Sequence, residues 1–253
     1  MPETYHNPDR SLLRISGADR VAFLEGLVSN AVSGVEKGAV YTALLSPKGK
    51  YLFDFIMTND NDSILLDVKS NRAAPLAQRL NMYRLRADVQ ITDADLQVLQ
   101  GFEGPPLGAF IDPRLPELGW RMYRPSRDAA SFPYAQWDAL RVAHCVPETG
   151  IELVPEETYI LETGFERLNG VDFKKGCYVG QEITARMKHK TELKKGLVRV
   201  AISGNAQIGT PITVEGKPAG TLFSISGAHA LAHLRFARAG GDMQAGDAVL
   251  RRV

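Results

Sequence analysis

Cysteine is scarce in this chain. Of 253 residues only Cys145 and Cys177 are cysteines. They form no Cys-x-x-Cys pair, and two thiols are too few for a four-cysteine cluster site within one chain. A disulfide between them would be out of place in a cytosolic protein, so a reducing compartment is the simplest setting. Long hydrophobic runs are also missing, which removes a bilayer-spanning helix from consideration. Met1 to Arg10 is polar and has neither a signal-peptide core nor an Arg- and Ser-rich transit segment, so the expectation is a bacterial cytoplasmic protein. The formal net charge is only +1, too little for a dominant nucleic-acid surface, and RNA is not an expected partner. No Walker loop, dinucleotide fingerprint or serine-triad motif is visible, and there is no internal repeat or low-complexity tract.

What is present reads as two regions. Leu12 to Ile15 is a short strand. Ser16-Gly17-Ala18-Asp19 follows with capping-box spacing, and Phe23, Leu24, Leu27, Val28 and Ala31 fall at helical spacing. Strands over 40–45 and 51–57 flank the turn Pro47-Lys48-Gly49-Lys50, and another covers 64–68. Ser70 or Asn71 caps a helix reaching about Tyr83. Strands over 89–92, 96–99 and 120–123 surround a Gly- and Pro-rich connection over 101–116. Helices are expected over 134–143, 158–168 and 179–188. After Lys195 the pattern changes to short strands over 197–202, 212–214, 221–225, 230–236 and 248–253, divided by Gly-rich turns, the signature of a small antiparallel barrel. The expected boundary therefore separates an α+β body over 1–195 from a β-barrel over 196–253.

The stretch Lys174-Lys175-Gly176-Cys177-Tyr178-Val179-Gly180-Gln181-Glu182 concentrates the chemistry. One thiol lies between a lysine pair and an expected helix start, with a glycine on either side. Positive charge and a helix N-terminus both favour thiolate, and glycine lets another molecule approach the backbone. The alternative is a buried cysteine acting as a small hydrophobe. His229 and His233 have metal-pair spacing but lack the acid of His-Glu-x-x-His, and no metal site is expected.

With Asn169-Gly170-Val171-Asp172-Phe173 before it and Ile183-Thr184-Ala185-Arg186 after it, this stretch resembles the signature of the YgfZ/Iba-type folate-binding proteins. These assist maturation or repair of iron–sulfur enzymes and are related to the glycine-cleavage T-protein, an aminomethyltransferase. Ser16-Gly17-Ala18-Asp19-Arg20, the Pro47 to Lys50 turn with Asp54, and Tyr83-Arg84-Leu85-Arg86 resemble further family segments in the same order. The resemblance implies an α+β, T-protein-like folate-binding body with a small C-terminal antiparallel β-barrel. It implies tetrahydrofolate or another reduced folate as cofactor, and iron–sulfur client or assembly proteins as partners.

The resemblance also implies roles. Cys177 and Lys175 are the candidate reactive pair, with Lys175 either binding an anion or biasing the thiol toward thiolate. Asp54, a carboxylate within an apolar strand, would accept paired N–H donors of a pterin, or else point to solvent. Tyr178 would stack on the pterin or simply pack. Glu182 and Arg186, one helical turn apart, would pair with each other or face the ligand. Arg84, with Arg86 on the same face of an extended segment, would neutralise the folate tail or form ordinary basic surface. A folate-dependent aminomethyltransferase or demethylating enzyme is the alternative. Phe53 and Ala143 stand where the T-protein carries acids, which weighs against it.

Overall fold

The computed structural model describes residues 3–125, 129–190 and 192–253. They divide into two compact units, Met1–Pro133 with Glu166–Glu182 and Tyr134–Phe165 with Ile183–Val253. The division differs from the single cut near Lys195 read from the sequence. Tyr134–Phe165 holds a helix that packs on barrel strands, so it groups with the C-terminal region rather than with its neighbours in the chain.

The first unit contains β1 (Tyr5–His6), β2 (Arg10–Ser16), α1 (Arg20–Glu25), β3 (Val40–Leu45), β4 (Tyr51–Asp60), β5 (Ser63–Lys69), α2 (Ser70–Arg84), β6 (Gln90–Asp93), β7 (Gln97–Gly101), β8 (Phe110–Ile111), β9 (Trp120–Arg124) and β10 (Ala130–Ser131). One five-stranded sheet has the order β3-β4-β5-β2-β6 and the other β10-β1-β7-β9-β8. Eight of the ten residues of β4 are buried. Such a run is expected of a strand covered on both faces, where apolar side chains need not alternate with polar ones. Leu76 and Leu80 of α2 join Phe55, Met57 and Leu66 in the larger core.

Two local expectations change. The α1 helix is only six residues long, and Asp19 makes no side-chain cap to it. Its carboxylate instead accepts the Asp88 backbone N–H at 2.8 Å, tying the helix entry to the segment before β6. Arg84 closes α2 and Arg86 lies in the following turn, so the pair is not on an extended segment.

The second unit contains α3 (Tyr134–Ala143), most of α4 (Gln181–Lys190), β11 (Lys195–Ser203), β12 (Pro211–Val214), β13 (Lys217–Ser226), β14 (His229–Arg235), β15 (Met243–Ala245) and β16 (Ala248–Arg252). The strands close into a barrel of order β11-β14-β13-β12-β15-β16, with β16 pairing back to β11. Val200, Leu222, Leu234 and Leu250 fill its interior. The helix expected over 158–168 is reduced to a 3-10 turn, Ile160–Thr163. Burial of all four of its residues outweighs the weak helical pattern. Buried Arg141 on α3 reaches Asp138 at 2.8 Å, Ser224 of β13 at 3.0 Å and Glu152 at 3.4 Å, and so holds helix, loop and barrel together.

Candidate functional site

The backbone leading into the Cys177 loop is fixed by hydrogen bonds to Ser29 and Asn30 at several points. Asp172 donates its N–H to the Ser29 carbonyl at 3.0 Å, while the Ser29 hydroxyl donates to the Gly170 carbonyl at 2.7 Å. The Asn30 side-chain amide donates to the Asn169 carbonyl at 2.7 Å. Further along, Gly180 has φ +84°, and a Cβ there would stand 2.6 Å from the Ser46 carbonyl oxygen. Only glycine satisfies both the torsion and the approach to the β3–β4 turn.

Lys175 supplies the main pin. Its ammonium donates to the carbonyls of Val28 at 2.7 Å, Glu25 at 2.8 Å and Asn30 at 3.2 Å, with the Glu25 carboxylate at 3.3 Å. These groups cluster where α1 ends, a place where unpaired carbonyls and the helix dipole both favour a cation. The side chain is 1% exposed. Burial lowers its pKa, against the opposing pull of Glu25. The ammonium also lies 5.2 Å from the Tyr178 ring centroid. The lysine expected to act on the thiol or on an anion is thus committed to holding the loop.

Between these fixed points Cys177 is exposed. Its accessibility agrees with the active reading of the motif, but its surroundings differ from those expected. The Lys175 ammonium is turned to α1, and α4 starts at Gln181, beyond the position of a thiol at a helix N-terminus. A Cβ placed on Gly176 would meet nothing within 4 Å, so the backbone beside the thiol faces open space. The arrangement presents a thiol on a rigid support with room for another molecule to approach.

Asp54 is buried, since both faces of β4 are covered, and the solvent-facing alternative is removed. The Tyr51 hydroxyl donates to one carboxylate oxygen at 2.8 Å and the Tyr41 hydroxyl to the other at 3.0 Å. The Arg114 guanidinium lies over the Tyr41 ring at 5.5 Å. Burial, with Asp54 beside it, raises the Tyr41 phenol well above its ordinary value, so it remains a donor. Arg114 leads into a buried ionic chain not anticipated from sequence. It bonds Asp112 at 2.7 Å, Asp112 meets Arg121 at 3.0 Å, Arg121 meets Asp67 at 2.8 Å, and Asp67 meets Arg10 at 2.6 Å. Burial alone would raise Asp112, but the Arg114 and Arg121 guanidiniums together hold it well below the usual carboxylate range. The chain joins β2 and β5 of one sheet to β9 of the other.

The other expected site residues spread out. Tyr178 is buried and packed rather than open for stacking. Glu182 and Arg186 are exposed on α4, one turn apart. Arg84 is exposed at the end of α2 and donates to the Val89 carbonyl at 3.5 Å. His229 is exposed, while His233 lies 3.4 Å from the Glu162 carboxylate. Among the described residues no group of three or more His, Cys, Asp or Glu is arranged to hold a metal ion. No helix among them is long and apolar enough to cross a membrane.

Comparison with known proteins bears on this geometry. The description "CAF17, C-terminal beta-barrel domain" matches residues 194–252. The mouse iron-sulfur cluster assembly factor IBA57, mitochondrial, is 30% identical across 86% of this chain and 69% of its own length. The human protein of the same name is 30% identical across 83% and 71%. The homologue from Mycosarcoma maydis is 31% identical across 76% of this chain. The chain spans about half the length of that and other fungal relatives, 55% in this case. The crystal structure of aminomethyltransferase T of the glycine cleavage system from Bartonella henselae superposes with a TM-score of 0.77. It covers 98% of this chain and 83% of the other, at 15% identity. The fold is therefore T-protein-like. The expectation of a bacterial cytoplasmic protein is corrected by these matches, because the relatives are mitochondrial proteins of eukaryotes.

Proposed function

Since this chain belongs to the IBA57 family of iron–sulfur cluster assembly factors, we propose that it serves iron–sulfur enzymes by presenting the Cys177 thiol to a client or assembly protein. The observation that carries this reading is the contrast within the loop. Lys175 and Gly180 are locked into the first unit, while Gly176 and Cys177 between them face open space. A cysteine thiolate is a soft ligand suited to iron. A single thiol supplies one ligand, so a cluster would be cargo shared with the partner, which provides the remaining ligands.

A reduced folate is the cofactor we assign to the same unit, close to Asp54. The fit rests on that carboxylate. Its two oxygens accept the Tyr51 and Tyr41 hydroxyls, which hold the carboxylate in a fixed direction. Bound there, the folate would supply one-carbon chemistry. Asp54 would orient it, and Tyr41 and Tyr51 would hold Asp54.

Two measurements test these assignments separately. In cells lacking the protein, Cys177→Ser should fold normally yet fail to restore iron–sulfur enzyme activity, and full rescue would remove the thiol from the function. Calorimetry with tetrahydrofolate should show binding weakened about tenfold by Asp54→Asn, the loss of roughly one charge-assisted hydrogen bond. Unchanged affinity would move the folate elsewhere.

A further inference from the structure

The second unit carries a groove of about 500 Å³ outside the Cys177 loop and the Asp54 region. Its lining includes four cations, Lys194, Lys195, Arg235 and Arg238. The barrel register brings them together. Lys195 at the start of β11 stands directly opposite Arg235 at the end of β14, and the Phe236 N–H bonds the Lys194 carbonyl at 2.9 Å. Like charges directly opposite each other on paired strands are destabilising. The Glu162 carboxylate, 3.3 Å from Lys195, offsets one of them. Arg238 is steered by a bond to the Pro218 carbonyl at 2.8 Å. Lys194 and Arg235 are exposed. Met187 and Leu193 line the groove between these charges.

We propose that this groove docks an acidic peptide segment of a partner protein, one that sets carboxylates against the cations and an apolar side chain against Met187 and Leu193. Charge complementarity selects the occupant. Four cations against the carboxylates of Glu162 and Glu192 leave a net positive lining that attracts anions, and Met187 and Leu193 reward an apolar side chain that a plain polyanion lacks. Among the described residues that line the groove none is aromatic, so they offer no stacking platform for bases. The inference is independent of the thiol and of folate.

The test uses the full chain and a short fluorescein-labelled peptide of Glu-Leu-Glu repeats, with fluorescence anisotropy at low and physiological salt. The peptide should bind, and added salt should weaken it. Lys194→Glu combined with Arg235→Glu should weaken it at least tenfold, and Leu193→Asp should weaken it at unchanged cation count. Arg235→Glu relieves the like-charge pair, so its Tm should equal or exceed that of the parent, which separates lost binding from lost folding. Cys177→Ser should leave the affinity unchanged. Equal affinity in the charge-reversed protein would overturn the proposal. So would oligouridylate displacing the peptide at lower concentration than the unlabelled peptide does, which would make the groove a nucleic-acid site.

Discussion

Lys175→Met separates an architectural lysine from a reactive one. The substitution keeps the buried stem and removes only the ammonium. Three carbonyls then lose a charged donor, those of Glu25, Val28 and Asn30. An unsatisfied buried acceptor costs about 1–3 kcal/mol, but the desolvation of the ammonium is recovered at the same time. Taking about 1 kcal/mol for each carbonyl gives a loss of about 3 kcal/mol. The Glu25 carboxylate is 35% exposed, so its ion pair adds less than about 1 kcal/mol. Lys175→Ala also removes the stem and should cost about 2 kcal/mol more, at about 0.8 kcal/mol for each buried methylene. For a unit of this size, about 3 kcal/mol corresponds to a drop of roughly 6–12 °C in Tm. Urea titration in a Trp137→Phe background reads the first unit through buried Trp120. The pH dependence supplies a second signature. Because the folded pKa is lowered, the native state binds fewer protons than the unfolded state between that value and the ordinary one of about 10.4. Parental stability should therefore rise relative to Lys175→Met as pH increases through that window. A Lys175→Met protein within about 0.5 kcal/mol of the parent, yet unable to support iron–sulfur enzymes, would refute the structural assignment and return this lysine to the chemistry.

Gly180→Ala should destabilise the first unit by about 2 kcal/mol or more, from the left-handed torsion and the clash with Ser46, measured by the same titration. Gly176→Ala should be neutral or stabilising by up to about 1 kcal/mol, yet impair rescue if a partner approaches the backbone there. Full rescue by Gly176→Ala would show that the open space is not used. Asp112→Asn should cost about 3–5 kcal/mol near neutral pH, because Arg114 and Arg121 lose a buried counter-charge. The folded Asp112 pKa is depressed, so its stabilisation is complete above the ordinary value of about 3.9 and is lost as pH falls below it. Titrations as pH falls from about 4 toward about 2 should thus show a shallower acid slope in Asp112→Asn than in the parent.

Strands and turns were legible where pattern and punctuation agree. The hairpin around Pro47 to Lys50, α3 over Tyr134–Ala143 and five of the six barrel strands follow from apolar alternation bounded by Gly-rich turns. The missed strand, Met243–Ala245, is only three residues long and is created by barrel closure between β12 and β16. The helix expected before the Cys177 loop failed because local periodicity carries no information about the tertiary partners that bury Ile160 to Thr163. The Gly- and Pro-rich connection before β9 is mostly loop, as its composition indicates, but composition does not show which loop residues are buried. It delivers Asp112 and Arg114 into the interior.

A signal for that ionic chain was present and read only once. Asp54 drew notice as a lone charge between Phe53 and Phe55. Asp67 sits in the same way between Leu66 and Val68, and Arg121 between Trp120 and Met122. A charged residue in an apolar strand must find a counter-charge, and two of these three are in contact, with Arg121 bonding Asp67. Read together, they pointed to a buried network before any coordinates. Which charge meets which depends on the packing of the two sheets, which strand periodicity does not encode. The Cys177 motif teaches the complementary lesson. Its residues looked like one chemical unit because they are adjacent, but folding assigns them opposite tasks. Lys175 turns inward to α1 and Gly180 inward to the β3–β4 turn, which leaves Gly176 and Cys177 facing outward. The inward pair makes the outward pair rigid, and rigidity reduces the ordering cost when a partner meets the thiol.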